Sequence, residues 1–578
     1  MVNLKINAQD VCVPEGTTIL DAAHELGIRI PTLCYLRDIN DLGGCRICVV
    51  EVKGARGLAA ACVHPVSEGM EVQTNTEKLR QSRKTTLELT LSNHRMDCLS
   101  CERSLNCELQ ALAKEYGVDQ HKFRNSLTPN IEIDDTAPHL VRDNSKCILC
   151  RKCVAVCKHN QHTGVIGVNY RGYHTKVGSP FDMGLDSTPC IYCGQCIAVC
   201  PTAALTEKPD KQKLWNALAD ETKHVIIATA PAIRAQLGEC FDMPIGTNVS
   251  GKMVAALRRL GADKVFDVVS AADLTIMEEG SELISRMNSG GTLPLFTSCC
   301  PSWVKFMEHY YPDKIDNLSS CKSPQQMYGA LMKTYYAQKE GIAPENIYVA
   351  TVMPCVAKKF EITRADQNAS GYPDVDVVIT TNELAAMIRQ AGIVFESLPD
   401  EDFDPAFGIT TGAGHIFGAT GGVCEATLRT VHELVTGKEL ANVEFTQVRG
   451  TKGIKEAEYD LNGKKLKVAV ISGASNAKKL MDMIDKGEKE YHFIEIMSCP
   501  GGCVNGGAQP YQPGYVRNFT NISAERAKAL YGEDKSRAMR KSHENPVIKE
   551  LYDNYLGEPG GDKAHELLHT SYVKRKVY

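Results

Sequence analysis

The sequence predicts a multidomain chain of the α+β/α/β class, in which small cysteine-rich domains precede a larger α/β domain with largely parallel sheets. Two observations support this prediction. Most of the 24 cysteines fall within the first 200 residues, at short and regular spacings. From about Lys211 onward, short apolar runs typical of buried strands alternate with helical patterns. The 578 residues are enough for roughly three to five domains.

Composition narrows the class of protein. The chain is 43% hydrophobic with a net charge of −5, so it can bury real cores and gives no support for nucleic-acid binding. No apolar run approaches the roughly 18 residues of a membrane span, and the N-terminus MVNLKIN lacks a signal-peptide core. Because so many cysteines would be unusual in a reducing compartment unless they bind metals, we expect a soluble cytoplasmic protein with metal-binding thiolates.

Two runs of four cysteines have the spacing that bacterial ferredoxins use for two [4Fe–4S] clusters. In that pattern three cysteines of each run bind one cluster and the fourth binds the other. Zinc sites and disulfides rarely show two such runs. The prediction is a two-cluster ferredoxin-like domain at residues 126–209, with one cluster on Cys147, Cys150, Cys153 and Cys200 and the other on Cys157, Cys190, Cys193 and Cys196.

Residues 1–80 show short strand patterns around a helical stretch near Thr18 to Leu26, and four cysteines follow at wider spacing. Gly43 and Gly44 would let the backbone close around sulfide. This pattern resembles the [2Fe–2S] domains of plant-type ferredoxins and of respiratory iron–sulfur subunits. The spacing differs in detail from the plant pattern, so zinc stays an alternative. Cys12 is expected in the core. The expected ligands are Cys34, Cys45, Cys48 and Cys62.

A third group, in the predicted domain 81–125, combines one histidine with three cysteines after a helical segment near Leu79 to Leu91. Such a set binds either zinc or an iron–sulfur cluster. Because it lies between a [2Fe–2S] domain and two cubanes, a zinc ion would interrupt the path of electrons. We therefore expect a [4Fe–4S] cluster on His94, Cys98, Cys101 and Cys107.

Several strand-like runs of the α/β region, placed at residues 210–512, end in cysteine motifs: PLFTSCCPSW, YVATVMPCVAKKF and FIEIMSCPGGCVNGG. Loops at strand ends are where α/β folds place their chemistry. Together these loops supply four thiolates from distant segments, namely Cys300, Cys355, Cys499 and Cys503.

TSCCPSW, MPCVAKKFE and SCPGGCVNGG resemble the three signature loops of [FeFe]-hydrogenases, and the likeness extends over essentially the whole chain. The resemblance implies reversible H2 oxidation at an H-cluster, a [4Fe–4S] cube joined to a two-iron subcluster with CO, cyanide and azadithiolate ligands. By position, Cys503 would be the bridging ligand. Residues 513–578 resemble the family's small subunit. The implied cofactors are this centre, three accessory [4Fe–4S] clusters and one [2Fe–2S] cluster.

The resemblance also implies a proton route through Cys299, Glu279, Glu282, Ser319 and Arg286. From spacing alone, Glu279, Glu282 and Arg286 share one helix face, which could equally be an exposed charged face with a salt bridge. Lys358 resembles the lysine that hydrogen-bonds a cyanide. The matching pocket-lining positions are Pro231, Ala232, Gln325, Met353, Phe417 and Met497.

The third loop, SCPGGC, is most like that of NAD(P)-linked, electron-bifurcating multisubunit hydrogenases. The glycine-rich segment TGAGHIFGATGG misses the dinucleotide spacing by one residue, so we expect close packing there. Expected partners are ferredoxin and/or NAD(P)H-oxidising iron–sulfur and flavin subunits in a heteromeric complex, with H2 and protons as substrates. The alternatives are a hydrogen sensor, a subunit of a CO2-reducing complex and a non-enzymatic iron–sulfur protein.

Overall fold

The computed structural model describes residues 1–119, 122–123, 132–461 and 463–577. The predicted domain boundary between residues 125 and 126 lies outside the described residues. Within those ranges short, cysteine-rich segments precede an α/β region with largely parallel sheets, which agrees with the predicted fold class.

The N-terminal region has five strands and one helix, namely β1 (Val2–Ile6), β2 (Gln9–Val13), α1 (Ile19–Glu25), β3 (Val49–Val52), β4 (Ala59–Ala60) and β5 (Glu71–Gln73). The strands form one sheet of order β2-β1-β5-β3-β4, with β1 and β5 parallel and the other pairs antiparallel. Cys12 on β2 is exposed, so its expected core position is wrong. Neighbouring Val13 takes the buried side, because side chains alternate along a strand.

Two helices follow, α2 (Glu77–Ser92) and α3 (Glu108–Glu115). The first confirms the predicted helix near Leu79 to Leu91. Thr76 caps α2 by accepting a hydrogen bond from the Leu79 amide. The two helices pack their apolar faces together through Leu87 and Leu109, against the loop that carries Cys45.

The region of the two cysteine runs consists of short elements, namely β6 (Ile133–Asp134), β7 (Leu140–Asp143), α4 (Lys152–Ala155), β8 (Gly167–Asn169), β9 (Lys176–Gly178), α5 (Gln195–Ala198) and β10 (Leu205–Glu207). β10, β7 and β6 form an antiparallel sheet, and β8 and β9 form a hairpin between the two runs.

The α/β region alternates strands and helices, namely α6 (Lys211–Leu218), β11 (His224–Thr229), α7 (Ser250–Arg259), β12 (Lys264–Asp267), α8 (Val269–Ser289), β13 (Leu295–Phe296), α9 (Pro301–Tyr310), α10 (Pro324–Leu331), α11 (Ala337–Glu340), β14 (Ile347–Met353), α12 (Ala357–Glu361), β15 (Val377–Thr380), α13 (Thr381–Gln390), α14 (Gly412–His415), α15 (Gly422–Thr436), β16 (Ile454–Leu461), β17 (Lys464–Ser472), α16 (Ala474–Asp485) and β18 (Phe493–Met497).

These strands form two four-stranded sheets. The first, of order β12-β11-β14-β15, is parallel throughout. The second, of order β13-β18-β17-β16, is parallel except for β16, which pairs antiparallel with β17. The central strands β11, β14 and β18 are apolar almost throughout and buried, which is typical of parallel sheets covered by helices on both faces.

The C-terminal segment wraps back over the α/β region with four helices, namely α17 (Gly514–Phe519), α18 (Ile522–Ser536), α19 (Pro546–Leu551) and α20 (Asp562–Leu568). Its buried anchors include Leu530 on α18 and Leu567 on α20. Among the described residues, no helix is long and apolar enough to span a membrane.

Candidate active site and cluster sites

The carboxyl ends of four strands converge on one apolar cavity of about 90 Å³. Pro231 follows β11, Cys299 follows β13, Cys355 follows β14 and Cys499 follows β18. The first and third of these strands belong to one sheet and the other two to the second. The cavity therefore lies where parallel strands of both sheets end, the usual position of an α/β site.

The residues predicted for the H-cluster and its pocket all line this cavity: Cys299, Cys300, Cys355, Cys499, Cys503, Lys358, Pro231, Ala232, Gln325, Met353, Phe417 and Met497. Burial raises the pKa of Cys355 to about 12 and holds the pKa of Cys499 well above its usual value. These thiols would stay protonated by themselves, and a bound metal centre is what deprotonates such groups. The donor set fits an iron–sulfur centre.

The SCPGGC loop needs its two glycines. Gly501 and Gly502 have φ values of +85° and +97°. A Cβ atom on Gly502 would lie 2.6 Å from the backbone nitrogen of Thr420. Glycine therefore permits both the left-handed backbone and the close approach that bring Cys499 and Cys503 to the same cavity.

Lys358 has a protein counter-ion that the sequence analysis missed. Its Nζ lies 2.9 Å from Oε2 of Glu361 and donates to the carbonyl oxygen of Cys299 at 3.1 Å. Burial alone would lower the pKa of Lys358, but the Glu361 carboxylate reverses this and raises it. Gln325 and Ser323 also donate to Glu361. The sequence did contain a signal for the Lys358–Glu361 pair, because residues three apart on a helix are neighbours.

A line of polar groups leads away from Cys299 along α8. Glu279 is 1% exposed, and the Ser319 hydroxyl lies between it and Glu282, donating to Glu282 Oε2 at 2.7 Å. Glu282 pairs with Arg286 at 2.6 Å. The helix salt bridge of the simpler interpretation exists, but the buried Glu279 contradicts an exposed charged face. Hydrogen bonds join Ser319, Glu282 and Arg286, and Glu279 lies within electrostatic reach of Cys299.

Burial and neighbouring charges shift the pKa values of two residues in this line. Burial, reinforced by the nearby Glu282 carboxylate, raises the pKa of Glu279 to about 8. Burial also holds the pKa of Cys299 well above its usual value, with Glu279 adding to the shift. A carboxyl that titrates near neutral pH is suited to accept and release protons.

The N-terminal cysteines meet in one place. Cys34, Cys48 and Cys62 are buried, the Sγ atoms of Cys48 and Cys62 lie 3.3 Å apart, and the Cys45 amide donates to Cys34 Sγ at 3.5 Å. Hydrogen bonds from the Cys34 thiol and from nearby backbone amides lower the pKa of Cys45 to about 6. Such amide donors favour thiolates and fit a [2Fe–2S] cluster.

His94 follows α2, and within the described part of the chain its buried Nδ1 has no hydrogen-bond partner. Burial lowers the pKa of its imidazole, so the ring is held neutral, as a metal ligand must be. Cys101 and Cys107 lie close enough for their charges to interact. A buried nitrogen without a partner, four residues before the first of three cysteines in the sequence, fits a metal-cluster ligand.

The two runs of cysteines interleave in space. Cys147, Cys150, Cys153 and Cys200 line one small pocket. The charges of Cys157, Cys190, Cys193 and Cys196 interact with one another. Cys193 in turn lies within electrostatic reach of Cys499 in the large cavity.

Direct contacts join the N-terminal sites to the first of these pockets. The Asn40 side chain donates to the carbonyl oxygens of Cys34 and Cys150, at 2.6 and 3.1 Å. Arg103 lies between Cys101 and Cys107, in the loop of the His94, Cys98, Cys101 and Cys107 set (the His94 group). It donates to the carbonyl oxygen of Cys200 at 3.4 Å. The N-terminal cysteine site and the His94 group therefore both adjoin the pocket of Cys150 and Cys200. The cluster sites are thus arranged as two branches that meet at one pocket.

A buried cation lies beside the second set of cysteines. Lys305 is 3% exposed, and its Nζ donates to the Cys190 carbonyl at 2.8 Å and lies 4.2 Å from the ring centre of Tyr192. Burial lowers the pKa of Lys305 to about 8. A buried ammonium needs an anion nearby, and a negatively charged cluster on the adjacent cysteines would supply one.

The glycine-rich segment is buried by packing. A Cβ atom on Gly414 would lie 2.6 Å from Val269, and one on Gly418 would lie 2.5 Å from Leu530. These glycines allow close contact with α8 and α18. The close packing expected for this segment is therefore present.

Family models match along the chain in an order that agrees with this geometry. Residues 1–77 match a 2Fe-2S iron-sulfur cluster binding domain, 83–122 the NADH-ubiquinone oxidoreductase-G iron-sulfur binding region, and 146–204 a 4Fe-4S dicluster domain. Residues 223–507 match the C-terminal domain of the iron only hydrogenase large subunit, and 520–575 match the iron hydrogenase small subunit.

The chain is 49% identical to the NADP-reducing hydrogenase subunit HndD of Solidesulfovibrio fructosivorans, over 100% of this chain and 99% of that one. The chain belongs to the [FeFe]-hydrogenase family. Iron hydrogenase 1 of Clostridium pasteurianum is 45% identical over 99% of this chain and 100% of its own. An apo [FeFe]-hydrogenase HydA1 variant from Chlamydomonas reinhardtii aligns with a TM-score of 0.57 at 42% identity, covering 63% of this chain and 98% of that one.

This [FeFe]-hydrogenase is therefore an iron enzyme of H2 oxidation and proton reduction. Its cofactors are one [2Fe–2S] cluster, accessory [4Fe–4S] clusters and the H-cluster. The predicted fold class, family and cofactor set are confirmed.

Proposed function

We propose that this hydrogenase exchanges its electrons with NAD(P)-linked iron–sulfur and flavin subunits of a heteromeric complex. The observation that carries this proposal is the end-to-end similarity to a subunit of an NADP-reducing hydrogenase. A complex with a nicotinamide partner and many reduced thiolates belongs in the cytoplasm. Electron bifurcation between NAD(P) and ferredoxin is one form that such a complex could take.

The branched arrangement of accessory sites supports the proposal. One branch begins at the [2Fe–2S] site and meets the Cys150 loop through Asn40. The other begins at the His94 group and meets Cys200 through Arg103. Two branches allow electrons to be exchanged with two different carriers. From the shared pocket the path continues by way of Cys193 to Cys499.

A stand-alone enzyme that uses ferredoxin is the second candidate, because the match to Iron hydrogenase 1 also spans essentially both chains. To separate the two, the isolated chain is assayed with viologen, ferredoxin and NAD(P), and again with its co-purifying subunits. We expect NAD(P) reduction only in the complex. NAD+ reduction by the isolated chain would contradict the proposal, and full ferredoxin activity with no co-purifying subunit would favour the second candidate. Co-purification of a CO2-reducing subunit would instead support that assembly.

We assign the cluster ligands from this geometry. Cys300, Cys355, Cys499 and Cys503 would hold the H-cluster, and by its match to the family's third loop Cys503 would be the ligand shared by the cube and the two-iron subcluster. When bound, the two-iron centre supplies the making and breaking of the H–H bond. The apolar walls, including Met353, Phe417 and Met497, exclude water. Lys358 offers an ammonium to an anionic ligand while Glu361 holds it in place.

The proton route runs from the Cys299 thiol to Glu279, through the Ser319 hydroxyl to Glu282. Each of these groups can both donate and accept a proton, as a relay requires. Arg286 fixes the Glu282 carboxylate in place. A complete relay favours a catalytic enzyme over a hydrogen sensor or a non-enzymatic relative.

A further inference from the structure

The buried hydrogen-bonded groups do not end at Glu282. The Ser320 amide donates to Glu282 Oε2 at 3.2 Å, and the Ser320 hydroxyl lies 3.4 Å from Oε1. The same hydroxyl lies 2.8 Å from Nδ1 of His569, which follows α20 in the C-terminal segment. One serine therefore joins the Glu282 carboxylate to an imidazole.

His569 is held on its other side by a buried carboxylate. Its Nε2 lies 3.0 Å from Oε2 of Glu278, which is 1% exposed. Glu278 also accepts from the Tyr552 hydroxyl and, at 2.8 Å, from the Gly560 amide. A carboxylate that is fixed by three donors stabilises a positive charge on the imidazole beside it.

These hydrogen-bonded groups approach the surface at His569. Its side chain is 7% exposed, and its ring centre lies 4.1 Å from that of His565, an exposed residue on α20. The imidazole therefore lies just below the surface, beside an exposed histidine.

Arg286, the other neighbour of Glu282, is poorly suited to pass a proton on. A guanidinium keeps its protons at physiological pH. Its donors are also engaged, at 2.6 Å with Glu282 and at 3.0 and 2.9 Å with the carbonyl oxygens of Thr292 and Asp316. Imidazole, by contrast, takes up and releases protons near neutral pH.

We propose that His569 is a further proton-transfer residue, which connects Glu282 to solvent through Ser320. In H2 oxidation, protonated Glu282 gives its proton to Ser320 Oγ while Ser320 gives its own to Nδ1 of His569. When the contact with Ser320 opens, Nδ1 gives its proton to water, which restores the neutral ring with its remaining proton on Nε2. The same transfers run in reverse during proton reduction. Nε2 keeps its hydrogen bond to Glu278 throughout. This step rests on the proposed Glu279–Glu282 relay.

The experiment compares His569→Gln with Glu282→Gln and with a matched control in the matured enzyme. The control is His543→Gln, because His543 also lies between a hydroxyl and a carboxylate in the C-terminal segment, 3.2 Å from Thr430 and 2.8 Å from Glu433. We expect His569→Gln to lower viologen-linked turnover about tenfold and to change its pH profile. The loss is limited because the Glu282 side chain is itself 14% exposed. His543→Gln should change neither.

Two further measurements separate proton transfer from anchoring of the C-terminal segment. Imidazole added to His569→Gly should restore turnover, and the infrared CO bands of the H-cluster should respond more slowly to a pH jump in His569→Gln. Ser320→Ala, which leaves the Glu278 anchor intact, should repeat the loss, while Ser320→Thr should not. Ser320→Ala and Ser320→Thr also test the proposal if His569→Gln folds poorly.

The outcomes distinguish the possible failures. An inactive Glu282→Gln beside a fully active His569→Gln would show that protons leave directly at Glu282 and would overturn the His569 proposal. Loss of turnover in His569→Gln without imidazole rescue, together with an active Ser320→Ala, would reduce His569 to an anchor. A fully active Glu282→Gln would instead contradict the underlying relay.

Discussion

Lys358 and Glu361 form a buried ion pair at the wall of the active-site cavity, with 2.9 Å between Nζ and Oε2 and side chains only 11% and 7% exposed. Glu361→Gln would leave the ammonium as an uncompensated buried charge. We expect a loss of about 3–5 kcal/mol in the free energy of unfolding. Thermal unfolding of the H-cluster-free protein measures it.

A matched control for that prediction is the Glu525–Lys528 pair, which has the same three-residue spacing but side chains 41% and 71% exposed. Glu525→Gln should cost less than about 1 kcal/mol. Equal losses in the free energy of unfolding from both substitutions would show that burial does not determine how much the Lys358–Glu361 pair contributes to stability.

Cys299→Ala should lower turnover by about 10²–10⁴-fold, because a proton relay fails when one donor is deleted. The neighbouring Cys300, not Cys299, is assigned to the cube, so iron content should stay unchanged. Viologen-linked assays and iron analysis of the same sample check both parts. Near-normal turnover would rule out Cys299 as a relay member.

The pH dependence follows from Glu279, whose pKa is raised to about 8 by burial. Proton reduction needs the protonated carboxyl as donor, so its rate should fall as pH rises through about 8. H2 oxidation needs the ionised form as acceptor, so its rate should rise over the same interval. Assays in both directions across this range provide the test, with Glu279→Gln as the variant that should lose both activity and profile. A flat profile in wild type would argue against Glu279.

The fully matured chain should contain about 20 iron atoms, counting two in the [2Fe–2S] cluster, four in each of four cubanes and two in the two-iron subcluster. If the His94 group binds zinc instead, the count drops to about 16 with one zinc per chain. Metal analysis and electron paramagnetic resonance of the matured protein distinguish the two.

Lys305→Met should lower the reduction potential of the cluster on Cys157, Cys190, Cys193 and Cys196. The buried ammonium stabilises the reduced and more negative form, so its removal favours the oxidised one. A redox titration followed by electron paramagnetic resonance measures this shift, with exposed Lys528→Met as control. An unchanged potential would mean that the cluster does not sense Lys305.

Cluster motifs with short spacings were predictable from the chain alone. Cys147, Cys150 and Cys153 must lie near one another, since covalent geometry limits the distance across two intervening residues. The alternation of strand and helix patterns likewise predicted the parallel sheets. The two adjacent glycines of the third loop, SCPGGC, were visible in the sequence and indicated close backbone packing there.

Other features depend on contacts between segments that are distant in the sequence, and only the tertiary structure shows them. Cys300, Cys355 and Cys499 meet because β13, β14 and β18 end at one cavity, and strand order is set by packing between distant segments. The exposure of Cys12 depends on which face of β2 meets the core, a choice that one strand cannot make. The contact between Ser320 and His569 joins residues 249 positions apart, and the folding of the C-terminal segment over α8 and α10 is what creates it.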